Sequence, residues 1–205
     1  MFFRQVKERG DNFSYIIADD TTKEAAVVDP SFNTDAITRV LINHGLKLKY
    51  VINTHHHNDH TACNHELKLH FGAKVIAHTH ASSKSSKDIG VVNGDTIKVG
   101  KVEIKVIHTP GHTSDSICLL ADNKLLTGDT LFVGECGRTD LPGGNARDMY
   151  DSLFNKLMKL DDNVEVYPGH DYGSAPTSTI GLEKRNNYTL EKRTIEEFIE
   201  FMKEP

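Results

Sequence analysis

Four segments of this chain carry a histidine or an aspartate just after a short apolar run, and this repeated arrangement most constrains the fold. The runs begin near Lys49, Val102, Lys124 and Val164. Their alternating or β-branched residues predict strands. The segments that follow them are His55–His60, Thr109–His112, Thr127–Asp129 and Pro168–His170. Because loops held by a rigid sheet are the usual site of chemistry, we expect these four segments to form the functional site.

The polar residues of these segments are metal ligands by type. Neutral imidazole and carboxylate suit borderline divalent ions such as zinc and iron. A fold has little structural reason to crowd several imidazoles into the short pattern H-x-H-x-D-H. We therefore predict a metal centre. The candidate ligands are His55, His57, Asp59, His60, His112, Asp129 and His170.

Five further polar residues are expected to have roles other than direct metal binding. We expect His56 to be a loop residue or to support a ligand, and His78 and His80 to lie at the surface or at a pocket rim. For His108 a structural role is at least as well supported as a catalytic one. Asp29 follows an apolar strand, and it either orients a metal-binding histidine or caps a turn.

Length and charge narrow the class of protein. The 205 residues and a uniform composition predict one domain spanning residues 1–205. A net charge of −5 argues against a dedicated nucleic-acid binder. No apolar run approaches the roughly 20 residues of a membrane span, and Met1–Arg4 does not begin a secretory signal. Three widely spaced cysteines do not describe a disulfide framework, so we expect a cytoplasmic protein.

The remaining periodicities predict strands with a few amphipathic helices. Helices are expected at about Thr61–Phe71, at Ala146–Leu160 and at the C-terminus from Ile195, and a hairpin region at Val91–Ile107. Many short strands with helices outside them suggest two sheets packed face to face. The expected class is α+β.

The ordered motifs T-H-H-H-N-D-H-T, T-P-G-H-T, T-G-D-T-L-F and Y-P-G-H resemble those of the metallo-β-lactamase superfamily. The resemblance is strongest to its glyoxalase II-like branch, the hydroxyacylglutathione hydrolases and short relatives. It implies a four-layer αββα sandwich with two mostly antiparallel sheets and a two-metal site at one edge.

The resemblance also implies a role for each ligand. His55, His57 and His112 match the first ion's ligands, Asp59, His60 and His170 the second ion's, and Asp129 the bridging carboxylate. The ions would be zinc first, with Fe²⁺ or Mn²⁺ as alternatives. A metal-bridging hydroxide would cleave a thioester of the S-acylglutathione type, or a related ester or lactone. Asp59 would hold or relay the proton of that water.

Substrate contacts follow from the same resemblance. Arg138 matches a basic residue that meets a substrate carboxylate, and Tyr172 matches an aromatic contact. The expected partner is a small molecule, a thioester or glutathione conjugate. Neither a nucleic acid nor a membrane is expected, and the oligomeric state stays open.

Two alternatives compete with the hydrolase. Cys136–Asp140 also resembles persulfide dioxygenases, which would hold one Fe²⁺ through His55, His112 and Asp129. The third hypothesis is a non-catalytic metal-binding or redox module. Against it, His57 stands where diiron electron-transfer relatives are expected to carry a carboxylate.

Overall fold

Two six-stranded sheets form the centre of the molecule. The computed structural model describes residues 1–7, 10–82 and 86–203. The first sheet contains, in spatial order, β1 (Phe2–Lys7), β2 (Phe13–Ala18), β3 (Glu24–Val28), β4 (Lys47–Ile52), β5 (Lys74–His78) and β6 (Ile89–Val91). The second contains β7 (Thr96–Val99), β8 (Val102–His108), β9 (Ile117–Ala121), β10 (Lys124–Gly128), β11 (Glu165–Pro168) and β12 (Ser178–Thr179), also in spatial order.

The two sheets differ in strand direction. In the second sheet β10 and β11 run parallel and the other described pairs are antiparallel. This sheet matches the expectation of mostly antiparallel strands. In the first sheet β1 to β3 are antiparallel, whereas β3 to β6 are parallel. Parallel neighbours require crossover connections, and helices supply them between β3, β4 and β5.

Helices cover the outer face of each sheet. They are α1 (Thr34–Asn43), α2 (Asn58–Thr61), α3 (Asn64–Phe71), α4 (Ala146–Tyr150), α5 (Ile180–Asn186) and α6 (Ile195–Phe201). Helices α1 and α3 pack on the first sheet, and α4, α5 and α6 pack on the second. The predicted αββα sandwich is confirmed. No helix among the described residues is long and apolar enough to cross a bilayer.

Strand alternation produces the layers. Ile17 points into the core between the sheets, while its neighbour Ile16 faces α1 and α3. Leu126 and Leu125 alternate in the same way, inward and toward α4 to α6. Because successive side chains of a strand point to opposite faces, one apolar run fills two cores. This is why several strands are apolar throughout rather than alternating with polar residues.

Two predicted helices differ from the observed ones. The expected helix at Thr61–Phe71 is divided into α2 and α3 at Cys63, and α2 begins directly after extended His57. The histidine cluster therefore runs straight into a helix. The helix predicted to span Ala146–Leu160 continues from α4 as a π-helical stretch, Asp151–Lys156, and a short 3-10 turn. Within that stretch the Ser152 hydroxyl donates to the Pro110 carbonyl at 2.7 Å, which ties it to the His112 loop.

The hairpin region predicted at Val91–Ile107 belongs to both sheets. Val91 ends β6, which pairs with β5 in the first sheet, whereas the turn at Gly100-Lys101 joins β7 to β8 in the second. The segment therefore carries the chain from one sheet to the other. A local turn signal does not distinguish a hairpin from such a transfer.

Replacing a side chain at the centre of the inter-sheet core tests this packing. Leu119 is fully buried there, and we expect Leu119→Ala to lower the free energy of unfolding by about 2–5 kcal/mol. Leu69 on α3 is 72% exposed, so Leu69→Ala should change it by less than about 0.5 kcal/mol. Denaturant unfolding of both variants measures the difference, and equal losses would contradict the assigned layers.

Candidate metal centre

The seven candidate ligands converge at one edge of the two sheets. They lie in the segments that follow β4, that connect β8 to β9, and that follow β10 and β11. Two glycines allow this approach. Gly128 has φ +49°, and a Cβ there would overlap the Thr54 hydroxyl. Gly111 has φ +146°, and its Cβ would lie 2.5 Å from the Met149 backbone. Residues with side chains would therefore displace Asp129 or His112.

Three histidines form the first ligand set. The Nδ1 atom of His57 lies 3.0 Å from Nε2 of His55 and 3.0 Å from Nε2 of His112. Nitrogen ligands on one tetrahedral ion, with bonds of about 2.0–2.1 Å, lie roughly 3.3 Å apart. The three ring nitrogens thus have the spacing of ligands that share an ion. His55 and His112 are buried, and His57 is half-buried.

Asp59, His60 and His170 form the second set. Nε2 of His60 lies 3.1 Å from Nε2 of His170, and Oδ2 of Asp59 lies 3.4 and 3.3 Å from these two atoms. The chain turns into α2 between His57 and Asp59, which directs Asp59 and His60 away from the first set. One carboxylate and two imidazoles again offer three ligand atoms at ion-sharing distances.

Asp129 lies between the two sets. Its Oδ2 is 3.5 Å from Nε2 of His112 and 3.4 Å from Nε2 of His170, one residue of each set. Its Oδ1 is buried and forms no hydrogen bond, although Nε2 of His60 lies 3.3 Å away. A buried carboxylate oxygen without a donor fits a bound cation. The donor set and this orphaned oxygen both fit the divalent ions that the sequence predicted.

The two sets differ in their affinity for protons. Burial, with the nearby charge of His60, lowers the pKa of His55 well below its usual value, and burial also lowers that of His57. Burial acts in the same direction on His170, but Asp129 and Asp59 outweigh it and raise its pKa to about 9. Asp129 and Asp29 likewise raise the pKa of His60. Metal binding at the second set must therefore displace protons.

Asp29 contacts both Thr54, just after β4, and His60. Its Oδ1 accepts the Thr54 amide at 2.7 Å, its Oδ2 accepts the Thr54 hydroxyl at 2.6 Å, and Oδ2 also lies 3.1 Å from Nδ1 of His60. Donation from Nδ1 leaves the lone pair of His60 on Nε2, which faces Asp129 and His170. The backbone of Asp29 is left-handed, with φ +49°, a conformation that aspartate tolerates better than most residues. Of the two roles expected for Asp29, the observed contacts suit the orienting one.

Sequence reasoning missed three contacts to the ligands. Nδ2 of Asn12 donates to Oδ2 of Asp59 at 3.2 Å, and Oδ1 of Asp11 lies 3.3 Å from Nδ1 of His170. The backbone carbonyl of Arg138 accepts from Nδ1 of His112 at 2.8 Å. The β1–β2 turn brings Asp11 and Asn12 to the site, and its sequence signals a turn without indicating where the turn lies.

The two predicted substrate contacts lie in different settings. The Tyr172 ring stacks on His170 at 4.7 Å between ring centroids and is 51% exposed, so it borders the metal centre. The Arg138 guanidinium is exposed and forms two hydrogen bonds of 2.6 Å with the Asp140 carboxylate. The backbone carbonyl of Arg138 therefore contacts His112, whereas its guanidinium forms an ion pair with Asp140. His56 faces away from both ligand sets, with Nδ1 2.6 Å from Oδ1 of Asp115.

A family model described as the metallo-β-lactamase superfamily matches residues 8–170. The chain belongs to this superfamily. All seven candidate ligands lie within the matched residues, and the match ends at His170.

Two relatives carry different activities in their names. A hydroxyacylglutathione hydrolase of Polaromonas sp. is 40% identical over 166 residues, which cover 78% of this chain and 62% of that protein. This chain thus spans less than two thirds of that relative. The persulfide dioxygenase ETHE1 of Mus musculus is 33% identical over 194 residues, covering 93% of this chain and 75% of the relative. The predicted resemblance to hydroxyacylglutathione hydrolases is confirmed. The chain also resembles a persulfide dioxygenase.

A solved structure extends the comparison to the whole chain. The crystal structure of ETHE1 from Myxococcus xanthus matches with a TM-score of 0.94 and 36% identity, and covers 100% of this chain and 91% of that one. The sandwich of this superfamily is therefore shared along the full length. Function has to be argued from the site.

Replacing Asp29 tests its control of the second ligand set. In Asp29→Asn the amide nitrogen donates to His60, so the ring proton moves to Nε2 and the ligand lone pair is lost. We expect divalent-metal affinity to fall by about 10- to 100-fold. A metal titration of apo-protein measures it. Asp19 is a matched control, because it is also buried and accepts backbone N–H groups, at the β2–β3 turn. Equal losses in Asp29→Asn and Asp19→Asn would contradict the orienting role.

Proposed function

We propose that this protein is a metal-dependent hydrolase that cleaves a thioester of the S-acylglutathione type. The observation that carries the proposal is the completeness of the second ligand set. The ligand atoms of Asp59, His60 and His170 lie 3.1–3.4 Å apart, and Asp129 reaches both sets. Zinc is the first choice of metal for imidazole and carboxylate ligands, with Fe²⁺ or Mn²⁺ as alternatives.

Asp59 is the residue that we assign to proton handling. Divalent ions in this centre would lower the pKa of water toward about 7 and polarise a substrate carbonyl. Asp59 is partly exposed, and Asn12 donates to the oxygen that faces His60 and His170. Its pKa lies well below the usual range, because hydrogen bonds from His170 and Asn12 and the charge of His60 outweigh burial. The carboxylate is therefore ionised at neutral pH, and at the open side of the site it can accept a hydrogen bond from the attacking water and so hold that proton in place.

A cavity lined in part by Arg138 offers room for the thiol carrier. Its volume is about 1170 Å³, and Arg138, Thr139, Asn145, Tyr188 and Phe201 are among its lining residues. Arg138 links this cavity to the centre, because its backbone carbonyl accepts a hydrogen bond from Nδ1 of His112. Tyr172 lies at the metal centre itself, where its ring stacks on His170. Its ring can pack against an apolar part of the substrate.

Persulfide dioxygenase activity is the second candidate. It would use His55, His112 and Asp129 alone. The observation that favours it is the Cys136–Asp140 segment, which resembles that of persulfide dioxygenases and in which Asp140 pairs with Arg138. The 33% identity to the mouse enzyme supports the same reading.

Asp59→Asn tests the proposal and separates the candidates. We expect hydrolysis of S-lactoylglutathione by the purified protein with about two metal ions per chain, and a loss of about 100-fold or more in kcat for the variant. The exposed Asp35→Asn on α1 serves as the control and should retain the wild-type rate. Oxygen consumption with glutathione persulfide, one iron per chain and an Asp59→Asn variant with full activity would instead establish the dioxygenase.

Asp140→Ala tests whether Arg138 meets a substrate carboxylate. Removing Asp140 frees the guanidinium, so KM for a substrate with a carboxylate should fall by up to about fivefold, the worth of an exposed ion pair. The kcat should stay constant, because this binding contributes equally before and during reaction. The gain should vanish in the double variant with Arg138→Ala. If KM still falls in the double variant that lacks Arg138, the proposed contact between Arg138 and the substrate carboxylate is wrong.

A further inference from the structure

Three histidines outside the metal centre lie together where β5 of the first sheet and β8 of the second sheet end. His78 is the last residue of β5, His80 lies in the turn that follows, and His108 is the last residue of β8. The His78 ring stacks on His108 with 4.0 Å between centroids, and the His80 ring lies 4.7 Å from His78 and 5.8 Å from His108. One ring nitrogen from each residue lies within 4.8 Å of the others. Two strands from different sheets therefore bring three imidazoles to one point.

The His108 ring is held in the manner of a metal-binding histidine. Its Nε2 lies 3.0 Å from the carbonyl oxygen of Ser114, an atom that can only accept, so Nε2 carries the proton. The lone pair then belongs to Nδ1. Metal-ligating histidines almost always donate their second ring N–H to a carbonyl or carboxylate in this way.

Two of the three rings, His78 and His108, have lowered pKa values that leave them free to bind a cation. Burial, with the nearby His108 and His80, lowers the pKa of His78 to about 4. Burial also lowers the pKa of His108. At neutral pH these two imidazoles are therefore uncharged and their lone pairs are available. Nδ1 of His78 now accepts the His80 backbone N–H at 3.2 Å, a long contact that an ion can replace.

A buried carboxylate lies nearby with an unused oxygen. Asp115 is 1% exposed, its Oδ1 contacts His56, and its Oδ2 has no hydrogen-bond partner. The negative charge of Asp115 raises the pKa values of both His78 and His108, against the effect of burial. The same charge would favour a cation among the three rings.

We propose that His78, His80 and His108 form a further binding site for a borderline divalent ion such as zinc. Three imidazoles supply the ligands, and water completes the coordination, as in other three-histidine sites. The planes of His78 and His108 are within 10° of each other, so one ring must tilt to place the ion in both planes. His108 is half-buried and His80 is exposed, which leaves their rings room to adjust. None of the three belongs to the seven ligands of the main centre.

The proposed site is tested by measuring bound zinc per chain in protein whose metal centre is already occupied. Wild type and His80→Ala are equilibrated at the same free zinc concentration, and zinc per chain is measured by elemental analysis. We expect the variant to bind one ion fewer than wild type, and His108→Ala to show the same loss. His80 is exposed, and its backbone N–H survives the change to alanine, so the variant should melt like wild type.

His65→Ala is the matched control, because His65 is an exposed histidine on α3 outside the cluster. It should bind as much zinc as wild type. The site is overturned if wild type and His80→Ala bind equal zinc, or if His65→Ala loses the same ion. The readout is a metal count rather than turnover, so it is independent of whether the main centre hydrolyses thioesters.

Discussion

The charge of one buried carboxylate organises the metal centre. Burial alone would raise the pKa of Asp129, yet the charges of His60 and His55 and the hydrogen bond from His170 hold it well below its usual range. A buried anion is stable only beside positive charge. The protein can meet that demand with protons on His60 and His170, or with divalent ions in their place.

Two parallel strand pairs, one in each sheet, bring the ligands to that carboxylate. In the first sheet Val28 pairs with Ile52, so Asp29 and the histidine segment leave the sheet at the same edge. In the second sheet Gly128 pairs with Pro168, so Asp129 and His170 leave side by side. Carboxyl ends of neighbouring strands coincide only when the strands are parallel. The parallel pair in the first sheet thus places Asp29 next to the histidine segment. The parallel pair in the second sheet places the candidate ligands Asp129 and His170 next to each other.

The sequence predicts the parts of the site that depend on local pattern. The H-x-H-x-D-H cluster after one strand gave four of the seven candidates, and single ligand residues beside Gly or Pro after three other strands gave the rest. Each of these signals spans fewer than about eight residues. Asn12 and the Arg138 carbonyl escaped prediction because their contacts arise from tertiary packing. The cluster of His78, His80 and His108 escaped for the same reason. Its members come from different sheets, and the H-x-H pair alone gave no indication of a third ring.

The choice between one ion and two follows from how strongly protons compete at each ligand set. Burial keeps His55 and His57 neutral near pH 7, so an ion at the first set displaces few protons. Asp129 and Asp59 outweigh burial and raise the pKa of His170 to about 9, so an ion at the second set competes with a proton at neutral pH. Affinity at the second set should therefore fall faster with acidity than affinity at the first. As the pH falls, a hydrolase that needs both ions would first lose the ion at the second set. A dioxygenase that holds one iron through His55, His112 and Asp129 would not depend on that set.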